Sequence, residues 1–271
     1  MSKPVHSKKC IIAFLDLLGA TKLILGDDSQ EQNLNKMRGI YDEVIALQKD
    51  NNPNFRKFQT VQFKIFSDNI VFVQELTTNK TDPVDIIEGL FRISGVVSDL
   101  LYYALIERGW MFRGAIACGD VYLDSDMIWG KGLVDAYNAE QNISIYPRVI
   151  ITDELIHEVQ TSKSEVVIFL KFEQDFDGIY YLDFLTLMLE EYEDDSPAMQ
   201  AGKKNKLMKF RDTYKEILDK LPTKPDISSA RVRAKHHWFI NDYNRFCMNN
   251  NFDKFQLDPS LIKIAFDGDE S

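Results

Sequence analysis

Lys9-Cys10-Ile11-Ile12-Ala13-Phe14-Leu15-Asp16-Leu17-Leu18-Gly19 is apolar without a break from Cys10 to Leu15, closes on an acid at Asp16 and turns at Gly19. A short run that is apolar at odd and even positions alike reads as a strand buried on both faces. Leu17 to Gly26 turns into a helix. Ser29 to Asp50 continues with Leu34, Met37, Ile40, Tyr41, Val44, Ile45 and Leu47 at helical spacing, and Asn51-Asn52-Pro53-Asn54 stops it. Phe58 to Phe66 and Asn69 to Gln74 read as two strands around the turn formers Ser67, Asp68 and Asn69. Asp82-Pro83 opens a long, largely buried helix from Val84 to Arg108, which Gly109 ends. Trp110 to Leu123 is a further strand, Gly130 to Asn142 a helix and Pro147 to Ile151 a short core strand. Glu165 to Phe172 and Gly178 to Phe184 read as a late strand pair turning at Asp175 to Gly178.

This order predicts an α+β fold. It is a ferredoxin-like βαββαβ core with helices on one face of a mostly antiparallel sheet, followed by a helical extension. Residues 1–190 form the core domain. After Glu190 comes an acidic stretch to Asp195, then two amphipathic helices, about Lys203 to Leu221 and Ser228 to Met248, so residues 191–271 are the extension.

The net charge of −10 argues against sequence-independent nucleic-acid binding, which needs basic stripes, whereas acidic groups suit divalent cations. Cys10, Cys118 and Cys247 are odd in number and lack CxxC spacing, which points to a reducing compartment and no zinc site. Met1-Ser2-Lys3-Pro4 begins no long apolar run, and Cys10 to Leu18 is too short to cross a bilayer. The expected location is the cytoplasm, with neither membrane nor nucleic acid as a partner.

Two acids sit at strand ends. Asp16 closes the first strand and Asp68 lies on the hairpin, and in a βαββαβ sheet these neighbours converge. Two carboxylates, the backbone of Leu17 and phosphate oxygens would make a two-metal site for Mg2+ or Mn2+. The Leu17-Leu18-Gly19 turn, leading into a helix, would offer N–H groups to phosphate. Taken singly, Asp16 is an ordinary helix cap and Asp68 an ordinary turn former.

Taken in order, the motifs resemble the class III nucleotidyl cyclases over about Cys10 to Asp183. Phe14 to Gly19 looks like the first metal motif. Phe66-Ser67-Asp68 looks like the second, with Ser67 where the family commonly has glycine. Arg113-Gly114-Ala115-Ile116-Ala117-Cys118-Gly119 and Trp129-Gly130 look like the next landmarks. Phe66 to Asn69, Gly130 to Tyr137, Tyr146-Pro147-Arg148 and Lys235-His236-His237-Trp238 are most similar to the bacterial pyrimidine cyclases of Pycsar anti-phage systems.

The resemblance implies an enzyme that turns UTP, or else CTP, into the 3′,5′-cyclic monophosphate and pyrophosphate. It implies two divalent ions, a head-to-tail homodimer with sites at the interface, and a separate effector protein that reads the product. Lys64 matches the base-selecting lysine of adenylyl cyclases. Its acid partner is out of register, with Met127 at the expected place and Asp126 one residue away, which favours a base other than adenine. Asp135 falls near the expected asparagine, and the helix from Asp135 to Asn142 has no arginine. The transition-state cation is then expected from Arg148 or Arg113; the competing reading is a salt bridge for Arg148 and a structural acid for Arg113. Competing readings of the whole are a non-cyclising nucleotide sensor, a purine cyclase and a scaffold. His236-His237 reads as packing or surface, and Gly130-Lys131-Gly132 is too short for a phosphate loop of the Walker type.

Overall fold

The computed structural model describes residues 5–25, 30–49, 59–78, 84–189 and 197–264. The expected stop at Asn51 to Asn54, the Asp82-Pro83 helix start and the acidic Glu190 to Asp195 stretch lie outside the described residues. The chain divides into two compact units, Met1–Leu101 with Met111–Phe184, and Tyr102–Trp110 with Leu185–Ser271.

In the first unit, β1 (Lys8–Leu17) is followed by α1 (Ala20–Leu25) and α2 (Gln30–Lys49), the hairpin strands β2 (Gln62–Phe66) and β3 (Asn69–Glu75), and α3 (Ile86–Arg108), of which the part from Tyr102 on is assigned to the second unit. Then come β4 (Phe112–Leu123), β5 (Ile128–Trp129), α4 (Lys131–Ile143), β6 (Val149–Ile151), α5 (Asp153–Thr161), β7 (Phe172–Gln174) and β8 (Tyr180–Leu182). The sheet order is β2-β3-β1-β4-β6-β8-β7, with β5 paired to β4. Its first four strands are in the βαββαβ order, and β4 and β6 run parallel while β1 is antiparallel to both its neighbours. The α+β class is as expected.

β1 is central, and Ile11, Ile12, Ala13 and Leu15 are all wholly buried, which is why its sequence has no polar alternation. The helices, expected on one face, touch both. Tyr41 of α2 meets Phe63, which meets Phe72. Gly89 of α3 lies against Ile11 and Leu76 on the same side. The opposite face, with Cys10, Ile12, Phe14, Val71 and Val73, is covered by Ala136 and Leu133 of α4. The reason is local: a Cβ on Gly119 would sit 2.6 Å from the Gly132 Cα, so only two glycines let α4 lie this close to β4. Gly130-Lys131-Gly132 is thereby a packing motif. α3 is long and apolar enough to span a bilayer, but 72% of its apolar window is buried, which makes it a core helix.

One strand expectation fails. Glu165 to Phe172 is not continuous: Ser164 accepts from the Val166 N–H and folds Glu165–Phe169 into a 3-10 turn before β7 begins. α5 was not foreseen; Asp153 and Glu154 in its first turn, beneath Thr152, were its signal.

In the second unit, α6 (Phe184–Leu189) leads to α7 (Pro197–Leu218) and α8 (Ile227–Asn249). Leu207, Phe210, Tyr214 and Leu218 recur at three- and four-residue spacing and are buried. Phe210 stacks on Tyr243 and Tyr214 on Phe239, each with ring centroids 4.7 Å apart. Asp226 caps α8 by accepting from the Ser229 N–H at 2.7 Å.

His236 is buried among them, its Nδ1 2.8 Å from the Tyr214 hydroxyl. Burial, and then the charges of Lys235 and His237, hold its pKa down from 6.5 to about 4. A histidine kept neutral in the fold and protonated more easily when unfolded stabilises fully above pH ~6.5; that contribution is lost as pH falls towards about 4. Urea denaturation is expected to show a loss approaching roughly 3 kcal/mol across this window, and His236→Gln should remove most of that slope.

Candidate active site at the end of the central strand

The β1 register places Asp16 opposite Asn69 of β3 on one side and opposite Arg113 of β4 on the other. The Leu17 N–H donates to the Asp68 carbonyl at 3.1 Å, which pins the two acid-bearing segments together at one end of the sheet. Asp16 and Asp68 are both half-buried. The hairpin that presents Asp68 turns through Ser67 at φ 56°, the left-handed region where a side chain is strained. Ser67→Gly is expected to raise stability by about 1 kcal/mol, read as a higher urea midpoint.

Arg113 faces two acids. Its Nε donates to Asp16 Oδ2 at 3.0 Å and lies 2.8 Å from Glu140 Oε1, while Nη1 donates to the Ser144 carbonyl at 3.2 Å. Glu140 on α4 is fully buried and also accepts from Gln141 Nε2 at 2.7 Å. Sequence reading missed Glu140; its signal was an acid on the face of α4 that carries Ala136 and Ala139, both buried.

Arg148 corrects an expectation. Its backbone does adjoin the site, since its carbonyl accepts from the Gly114 N–H at 3.1 Å. Its guanidinium is engaged elsewhere, by the β7–β8 turn. It is buried and closed between Asp175 and Asp177 in the β7–β8 turn, with Nη1 also 3.1 Å from Asp177 Oδ1. Two carboxylates on one tight turn hold the planar fork by geometry as well as charge. The Arg148 hydrogen bond is the main cause that lowers the Asp177 pKa.

The donors expected to cradle phosphate need a similar correction. The Leu17 N–H is spent on Asp68 and the Leu18 N–H on the Met111 carbonyl at 2.9 Å, so neither is available. Gly19 supplies the turn at φ 81°. Lys64 donates to the Ser125 carbonyl in the β4–β5 turn, where the Tyr122 hydrogen bond first, and the Lys64 charge as one of the lesser causes, lower the Asp124 pKa. Asp124 organises that turn by accepting from the Asp126 and Met127 N–H groups, each at 2.8 Å, and from the Tyr122 hydroxyl. Asp135 is paired with Lys131 at 2.5 Å, one turn away on α4, and does not join the two acids.

No protein-family model matches the chain, and no curated protein does. Solved structures resemble it. The adenylyl cyclase CyaB from P. aeruginosa is 14% identical, with a TM-score of 0.47, over 66% of this chain and 96% of that one. The guanylyl cyclase domain of the RhoGC fusion protein from Blastocladiella emersonii is 12% identical, at 0.45, over 65% and 97%. A class III adenylyl cyclase-like ATP-binding protein from Pseudomonas aeruginosa is 11% identical, at 0.41, over 59% and 37%. At these values the likeness carries no argument about activity.

The donor chemistry is that of a hard cation. Two carboxylates with neighbouring backbone oxygens suit Mg2+ or Mn2+. No group of three or more His, Cys, Asp or Glu side chains placed to hold a metal occurs among the described residues; what links the Asp16 and Asp68 segments is the backbone hydrogen bond between them. Burial pushes the Cys10 thiol up to about 12 and the Cys247 thiol up to about 11, which keeps both protonated and removes them as soft ligands.

Proposed function

We propose that this protein is a cytoplasmic nucleotidyl cyclase acting on UTP, with CTP as the alternative, and that its product is a signal in anti-phage defence. The observation that carries the reading is the hydrogen bond from the Leu17 N–H to the Asp68 carbonyl, which joins Asp16 and Asp68 at the end of the sheet. The ordered motifs from Phe14 to Arg148 support it and supply the preference for a pyrimidine.

Asp16 and Asp68 would hold two divalent ions, with further donors from the Leu17 backbone and the triphosphate. Bound there, the ions would acidify the ribose 3′-hydroxyl and offset charge on the phosphates. The 3′ oxygen attacks the α-phosphorus in line, the bond to the bridging oxygen breaks, and pyrophosphate and a proton leave. Arg113 orients Asp16 in this scheme. It is not the transition-state cation, because its guanidinium is shared between Asp16 and Glu140.

A head-to-tail second copy would complete the site and bring the cation. Phe66, Met127, Trp129, Val134 and Tyr137 are exposed, and Phe66 and Tyr137 both pack on Phe14 beside Asp16. Phe66, Trp129 and Tyr137 suit the apolar centre of such an interface. One observation favours a second reading, a nucleotide-binding protein that does not cyclise: Arg113 and Arg148 are both engaged by acids of their own chain.

Incubation of the purified protein with ATP, GTP, CTP and UTP and Mn2+, read by mass spectrometry, tests this. One cyclic pyrimidine monophosphate with equimolar pyrophosphate is expected. A cyclic purine would retain the chemistry and remove the defence assignment. Binding of triphosphate with Mn2+ and no product would favour the second reading.

A further inference from the structure

Asp16, Arg113 and Glu140 form a chain of charge that runs from the sheet end into the protein. Glu140 is fully buried, Asp16 retains 18% side-chain exposure, and the one guanidinium between them lies within 3.0 Å of both. The Arg113 guanidinium is therefore shared between two carboxylates. The buried carboxylate has the larger need of the cation, since it has no water to fall back on. Sharing leaves Asp16, the end nearer solvent, less fully neutralised than a one-to-one pair with Arg113 would.

We infer that Glu140 is a positioning residue for the metal site: it offsets the charge of Arg113, so that Arg113 can fix the Asp16 carboxylate without cancelling its attraction for a divalent cation. This rests on the reading of Asp16 as a metal ligand. It explains why an arginine can stand 3.0 Å from an acid meant for a metal. It also gives α4 a role in the site although α4 contributes no group to the Asp16 and Asp68 pair. The Gly119 and Gly132 contact that seats α4 on β4 serves the same end. Partners that act through a metal ligand typically change metal affinity by about 10- to 100-fold.

The test is Mn2+ binding followed by electron paramagnetic resonance in the absence of nucleotide, on the full chain, with folding checked by circular dichroism. Glu140→Gln leaves Arg113 unopposed beside Asp16 and is expected to weaken Mn2+ binding by roughly 10- to 100-fold. The double variant Arg113→Gln with Glu140→Gln removes both charges and is expected to regain most of the affinity lost in Glu140→Gln, a non-additive recovery, while still lacking the hold of Arg113 on Asp16. A merely structural Glu140 would move the melting temperature and leave Mn2+ affinity alone. Unchanged affinity in folded Glu140→Gln overturns the inference, as does a double variant as weak as the single one. Should Glu140→Gln not fold, Glu140→Met, an apolar side chain of similar volume for a buried position, takes its place with the same two outcomes. Asp16→Asn separates the two levels. If it binds Mn2+ as the unmodified protein does, the metal reading falls, and this inference with it. If it loses Mn2+ while Glu140→Gln does not, only the inference falls.

Discussion

Asp68→Ala is expected to lower cyclic-nucleotide formation by a thousandfold or more, on the order of the loss that follows removal of a metal or oxyanion contact at a phosphoryl centre. The substitution takes away one of two carboxylates, and a hard cation keeps little affinity for the one that remains. The fold should stay. The bond that pins the hairpin to β1 runs from the Leu17 N–H to the Asp68 backbone carbonyl, which alanine retains. The Asp68 side chain is half-buried and accepts from Asn69 at 3.3 Å, a long bond, so the stability change should remain within about 1 kcal/mol. Product formation by mass spectrometry and the melting temperature, measured on one preparation, check both parts. Turnover that survives in a folded variant would remove the two-acid mechanism.

Arg148→Met should act in the opposite way, lowering stability by about 3–5 kcal/mol as expected for one partner removed from a buried pair. The guanidinium is fully buried, and without it Asp175, only 9% exposed, is left without this cation inside the protein. Asp177 is a third exposed and contributes less. The bond ties the β7–β8 turn to the start of β6, so loss of this sheet edge should come first on warming. The pH dependence has a definite sign. Arg148 holds the Asp177 pKa below its ordinary 3.8, so the pair stabilises above that pH and is lost as pH falls through the lowered value. Urea midpoints at pH 7 and pH 3 should therefore differ less in the variant than in the unmodified protein. A variant that keeps its stability but loses catalysis would return Arg148 to the reacting phosphate.

Arg113 and Arg148 show where sequence reading stopped. Both were expected as candidates for a cation at the phosphate, and both do lie near the sheet end by backbone position: Arg113 opposite Asp16, Arg148 one hydrogen bond from Gly114. What sequence could not supply was the direction of each guanidinium. Arg113 turns to an acid 97 residues before it in the chain and to a second on α4, while Arg148 turns to a hairpin tip 27 to 29 residues later. The Leu17 and Leu18 N–H groups tell the same story. A turn leading into a helix was legible, but the carbonyls of Asp68 and Met111 that consume its donors belong to other strands.

Local periodicity and turn chemistry determined the rest. An unbroken apolar run had to be the central strand because water is absent from both its faces. Ser67-Asp68 had to be a turn because it separates two strand-forming runs, and the three- and four-residue spacing of Leu207, Phe210, Tyr214 and Leu218 had to be a helix face. These are short-range properties, set by backbone sterics and by burial averaged over a few residues. The register that puts Asp16 beside Arg113, the glycine contact that seats α4, and the burial of Glu140 came only from tertiary structure. Ion pairs fall off over a few ångströms and depend on which side of a strand each residue faces, so a charge acquires its role only once the strands are in register.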